Sequence, residues 1–122
     1  MERSYAQGST AGTDIKRYAA GVKLVRVQDE TSDMRKDGQR LIGSVTAGDP
    51  TVSGLDIERK VPSATITSCL DVSRWDVVDA KTRKKLPLPS GRLTKFVNVS
   101  TLERWPDGWK VIEDDPQEGK PC

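Results

Sequence analysis

The chain has 122 residues, of which 34% are hydrophobic and 31% charged, with 20 basic and 18 acidic side chains for a net charge of +2. That length holds one modest core under a heavily solvated surface, and the interspersed, nearly cancelling charge lacks the basic stripe with interleaved aromatics that nucleic acid selects. Histidine is absent, which removes a Ser-His or Cys-His nucleophile system, a histidine general base and most catalytic zinc sites.

In chain order, Met1 to Gln7 reads as a short helix, and G-S-T-A-G after it as a connector. Thr13-Asp14 offers N-cap oxygens for a helix whose apolar face is Ile15, Tyr18, Val22 and Val25. Gly21 falls inside that pattern and marks either a joint between two short helices or a close-packing point. The second helix runs to about Asp37 with Leu24, Val27, Thr31 and Met34 on one face, and Gly38 ends it at a left-handed position. The expected role is a lid packed on a sheet.

From Arg40 the period changes to two. Leu41–Thr46 reads as a strand closed by the turn residues Ala47-Gly48-Asp49-Pro50, and Thr51–Arg59 as a second strand with Gly54 at a bulge. The segment Pro62–Trp75 is a central strand, with Ala64, Ile66, Ser68 and Leu70 on one face and Thr65, Thr67, Cys69 and Asp71 on the other. Trp75–Ala80 is a further strand, Lys81–Lys85 a basic turn, and Arg92–Trp105 the longest strand. Pro106-Asp107-Gly108 is a hairpin turn, flanked by Trp105 and Trp109, which could stack across it. Trp109–Glu113 returns as the last strand, and residues 116–122 form a polar tail. Helices first and antiparallel strands after give an α+β domain: a helical part over 1–38, a sheet over 39–115 and a tail over 116–122.

Two cysteines, Cys69 and Cys122, lie too far apart for a zinc knuckle or a redox pair. They are either a disulfide or two idle thiols. The disulfide is the preferred reading; it would close a loop of about 50 residues worth about 4 kcal/mol in the chain-entropy model and would place the protein outside the cytoplasm. No apolar run approaches the roughly 20 residues of a membrane span. Met1–Tyr5 has no apolar signal core, so the chain reads as cytosolic or as a mature fragment whose leader lies outside it.

The segments G-T-D-I-K-R-Y-A-A-G (12–21), P-S-A-T-I-T-S-C-L-D-V-S-R-W (62–75), D-A-K-T-R-K-K (79–85) and D-G-W-K-V (107–111), with the terminal cysteine, resemble a family of small actinobacterial secreted proteins and lipoproteins. The resemblance implies an NTF2-like (cystatin-like) cone, with helices laid in the hollow of a strongly curved antiparallel sheet. It also implies an extracellular or cell-envelope location, with the leader absent from this chain. The family's motifs carry no catalytic signature.

Some NTF2-like cones hold isomerases or dehydratases, which need an acid or base in an apolar cavity beside an oxyanion stabiliser. Tyr5, Tyr18, Asp71, Asp76 and Asp79 are the candidates. Asp71 and Asp76 read more simply as turn or capping residues, and Tyr18 as a core residue. Tyr18, Asp71, Trp75, Phe96, Trp105 and Trp109 are the expected pocket or binding residues, the tryptophans as core or as anchors for a partner. Asn98-Val99-Ser100 matches the N-glycosylation pattern and is read as chance. No catalytic residue, metal or cofactor is assigned. The expected function is a non-enzymatic secreted or envelope binding or scaffold domain for an unidentified protein or small ligand, with homodimerisation left open. The alternatives are an isomerase or dehydratase using Asp and Tyr, and an accessory module of an envelope or conjugative-transfer assembly.

Overall fold

The computed structural model of the protein describes residues 2–122; Met1, the first residue of the expected N-terminal helix, lies outside them. Three helices, α1 (Glu2–Gln7), α2 (Ile15–Tyr18) and α3 (Gly21–Lys36), precede four strands, β1 (Gln39–Asp56), β2 (Ser63–Asp79), β3 (Lys95–Trp105) and β4 (Gly108–Pro121). The strands form one antiparallel sheet in the order β1-β2-β3-β4. The α+β reading therefore holds. No helix among the described residues is long and apolar enough to cross a membrane.

Gly21 is the joint between α2 and α3. Its φ of +57° lets the chain turn where an L side chain would be strained, and a Cβ there would lie 3.3 Å from Ile112 Cγ2. The turn resets the helical phase, which corrects the apolar face expected of Ile15, Tyr18, Val22 and Val25. Ile15 is buried, whereas Tyr18, Val22 and Val25 are about half exposed. The second expected stripe is the one that packs. Val27 and Thr31 are fully buried, and Leu24 and Met34 lie against a core of Tyr5, Ile15, Ala19 and Val27 that also receives Leu41 and Trp75. The Thr31 hydroxyl is satisfied within the helix, donating to the Val27 carbonyl at 2.8 Å.

Four expected boundaries change. Ala47-Gly48-Asp49-Pro50 is not a turn between strands: β1 runs through it from Gln39 to Asp56, paired with β2 on both sides of Asp49-Pro50, and absorbs the irregular residues as register shifts between Gly48 and Thr51 and between Val52 and Gly54. Likewise Trp75–Ala80 is no separate strand, because β2 continues to Asp79 across another shift opposite Ser44 and Thr46. The β3 strand begins at Lys95 rather than Arg92, and its 11 residues are fewer than the 18 of β1. The 116–122 tail is strand almost to its end, with Pro116 and Gln117 paired to Asn98 and Val97 and Pro121 paired to Phe96.

Cys69 and Cys122 are joined in a disulfide across a sequence separation of 53, with Cα atoms 5.9 Å apart. Cys69 pairs with Val97 in β3, while Cys122 follows Pro121 on the far side of that strand. The bridge ties the end of the chain after β4 to the central strand β2.

Candidate functional site

The helix-facing side of β3 and β4 carries a buried polar seam. Register places Ser68 beside Asn98 and Ile66 beside Ser100, and sets Asn98 opposite Pro116 and Ser100 opposite Asp114. Asp114 is its centre. One carboxylate oxygen pairs with the Lys23 ammonium at 2.7 Å, and the other accepts from Ser100 Oγ at 2.6 Å and Asn98 Nδ2 at 3.3 Å. The Asp114 carbonyl accepts from the Arg26 guanidinium at 3.2 Å. Burial alone would raise the Asp114 pKa, but the hydrogen bonds from Lys23, Ser100 and Asn98 outweigh it and hold the carboxyl below its ordinary range,.

Tyr5 closes the seam from α1. Its hydroxyl donates to Glu30 of α3, and its ring meets Trp75 edge-on with centroids 5.4 Å apart. Burial, and then the hydrogen bond to Glu30 and its charge, push the Tyr5 hydroxyl well above the usual tyrosine range. Among the described residues, two buried side-chain polar atoms find no partner, Trp75 Nε1 and Asn98 Oδ1. The Asn98 orientation is fixed by its neighbour, since turning the amide over would point its oxygen at the Asp114 carboxylate. Along the outer side of α3, the residues Val22, Val25, Arg26, Asp29, Glu30 and Asp33 border an open hollow of about 420 Å³.

The expected site residues do not assemble into one place. Trp75 and Phe96 are buried or half-buried, Trp75 against Tyr5. Tyr18 is 52% exposed under the Arg17 guanidinium, which corrects its assignment to the core. Asp71 lies within β2, beside its register shift against β1, and not in the turn expected of it. Its carboxylate accepts from the Ser73 N–H at 2.9 Å, and the Ser73 hydroxyl and N–H together hold its pKa low. Asp79 caps the basic turn in the same way, accepting from Lys81 and Thr82 N–H groups at 2.9 Å, while Asp76 meets Lys85 at 3.4 Å.

Trp105 and Trp109 do not stack across the hairpin. The hairpin turns on Pro106 and Asp107, so Trp105 opposes Gly108 and Trp109 opposes Arg104, and alternation sends the two rings to opposite faces. Trp105 instead carries the Lys110 ammonium 5.7 Å above its ring. That ammonium is buried, bonded to the Lys16 carbonyl and paired with Asp107 at 3.0 Å. Asn98, the acceptor of the glycosylation pattern, is only 4% exposed.

Lys23, Arg26, Glu30, Ser100 and Asp114 went unseen in the sequence because polar residues on a helix, within a strand and just before a Pro-rich tail read as solvated. Counting the register back from the Pro106-Asp107 turn places Asp114 within a residue of Ser100, and that was the available signal. No family model matches the chain, and no curated protein does. Among solved structures the chain is similar to the crystal structure of the intermembrane space region of chloroplast protein ARC6. The TM-score is 0.55 at 10% identity, covering 94% of this chain and 86% of that one, a likeness of fold.

Proposed function

We propose that this protein is a non-enzymatic extracytoplasmic binding or scaffold domain of NTF2-like arrangement. The observation that carries the reading is how the space between helices and sheet is used. Tyr5, Ile15, Ala19, Val27, Leu24 and Trp75 pack it, and the polar groups beside them are committed to one another, Lys23 to Asp114 and Tyr5 to Glu30. An isomerase-type site needs an acid or base left free beside a donor; here the Tyr5 proton is engaged by Glu30. The Cys69–Cys122 disulfide supports a location where thiols oxidise,.

Isolation from the native compartment under thiol-blocking conditions tests the location, and a crosslinkable side chain at Val25 tests the binding. Expected are an intact mass about 2 Da below the dithiol form and discrete crosslinked adducts. Two blockable thiols would overturn the location. Turnover of any small carbonyl substrate that Tyr5→Phe or Glu30→Gln abolishes would overturn the non-enzymatic reading.

A further inference from the structure

An edge strand presents unpaired N–H and C=O groups that proteins ordinarily cover, charge or interrupt. This sheet has two edges, β1 and β4. The β4 edge is guarded: Ala19 bridges to Val111, the Ala20 N–H donates to the Val111 carbonyl at 3.1 Å, and beyond that point the strand carries Asp114, Asp115, Pro116, Glu118, Lys120 and Pro121. The first half of β1 is guarded by α1, where Glu2 accepts from the Val45 N–H at 2.9 Å and Gly8 lies against Arg40. Asp49, at φ 48°, and Pro50 then interrupt the edge at a register shift.

Past that interruption no helix covers the edge, and its remaining irregularities are the shift at Ser53 and the charge of Asp56. Val52, Leu55 and Ile57 are 64%, 62% and 65% exposed, the most exposed large apolar side chains among the described residues. On its inner side Thr51–Asp56 is held extended by β2, with Val52 paired to Ile66 and Leu55 to Ala64, and Ile57 follows at the strand's end, so the outer side is already ordered for a partner strand.

We propose that Thr51–Ile57 pairs with the same stretch of a second copy, antiparallel about a two-fold axis, joining two sheets edge to edge. The distribution of charge selects this occupant. Asp49 stands before the stretch, and Glu58, Arg59 and Lys60, together net positive, follow it. Antiparallel self-pairing brings the acid of each copy to the bases of the other and sets Val52 toward Leu55 and Ile57. Parallel pairing would instead stack Asp49 on Asp49, Asp56 on Asp56 and Lys60 on Lys60. The three apolar side chains offer a few hundred Å², less than the roughly 800 Å² each partner contributes to a standard interface. Main-chain hydrogen bonds along the strand supply the rest, and the dimer falls in the micromolar range.

Sedimentation velocity of the oxidised full chain from about 1 to about 500 µM spans that range. The weight-average mass rises from the 13.4 kDa monomer toward twice that value. Val52→Lys and Ile57→Lys, at side chains facing solvent, leave the thermal unfolding curve in place and shift association at least about tenfold in concentration. Lys60→Glu weakens association as well, and the difference from wild type narrows as salt rises. A wild-type chain that stays monomeric throughout overturns the proposal. So does a dimer that Val52→Lys and Ile57→Lys leave unchanged. A monomer that instead captures an added strand peptide of unrelated sequence, sensitive to Val52→Lys, assigns the edge to a foreign partner and overturns the self-pairing.

Discussion

Two valines separate burial from composition. Val27 is fully buried in the core and Val52 is 64% exposed at the sheet edge. Val27→Ala removes two methyl groups from a site that cannot fully collapse, and should lower unfolding stability by about 2 kcal/mol. Val52→Ala at low protein concentration should change it by less than about 0.5 kcal/mol. Urea denaturation of both variants measures the difference. Asp114 gives the pH dependence. Its folded pKa lies below the unfolded value of about 3.9,, so the unfolded chain binds more protons and this contribution to stability is present above about pH 4, then lost as pH falls through the folded pKa. Asp114→Asn leaves Lys23 without its charge partner and should cost about 2 kcal/mol at pH 7. Its stability should then fall less steeply than that of wild type in denaturation curves taken between about pH 5 and 2.

At the scale of elements, what the sequence showed well was phase and what it concealed was continuity. The Gly21 joint, the Leu24–Val27–Thr31–Met34 stripe and the Pro106-Asp107 hairpin were legible because each rests on local chemistry: a residue free to take positive φ, a 3.6-residue period, a turn pair. The length of β1 was not. Ala47-Gly48-Asp49-Pro50 carries every mark of a turn, yet β2 offers a ladder long enough to hold the chain through it, and bulges take up the surplus residues,. Tertiary pairing overrode local preference there, as it did in the polar 116–121 segment, which pairs with β3. Gly43 shows how tight such irregular pairing is. It sits at φ 104°, and a Cβ would fall 1.9 Å from the Arg74 carbonyl oxygen. Gly43→Ala must therefore move the β2 backbone, and should cost about 3 kcal/mol or more, against about 1–2 kcal/mol for Gly21→Ala, where strain comes mainly from φ. Thermal unfolding of the pair ranks them.

For the whole molecule, the question is what holds a sheet whose last strand has so little core beneath it. The main core cluster gathers between α1, α2 and α3, near Leu41 and Trp75, whereas the end of β4 contributes Pro116, Gln117 and Pro121 to the ladder, with extra residues looped between them and Phe96 as the buried apolar partner of Pro121. Two ties reach that end: the Lys23–Asp114–Ser100 seam and the Cys69–Cys122 bridge. The seam lies upstream of Pro116, so beyond it the final residues are held by the ladder to β3 and by the disulfide. Replacing both cysteines by serine should then lower global stability by about 2–4 kcal/mol through the freed unfolded chain, and should also act locally. Native-state hydrogen exchange should show the Gln117–Lys120 amides losing protection first, while Val27 and Thr31 in α3 and the β1–β2 ladder near Leu41 remain at the global rate. Uniform loss of protection throughout the chain would show that the bridge acts on the unfolded state only, and that the strand beyond Asp114 is held by its pairing with β3.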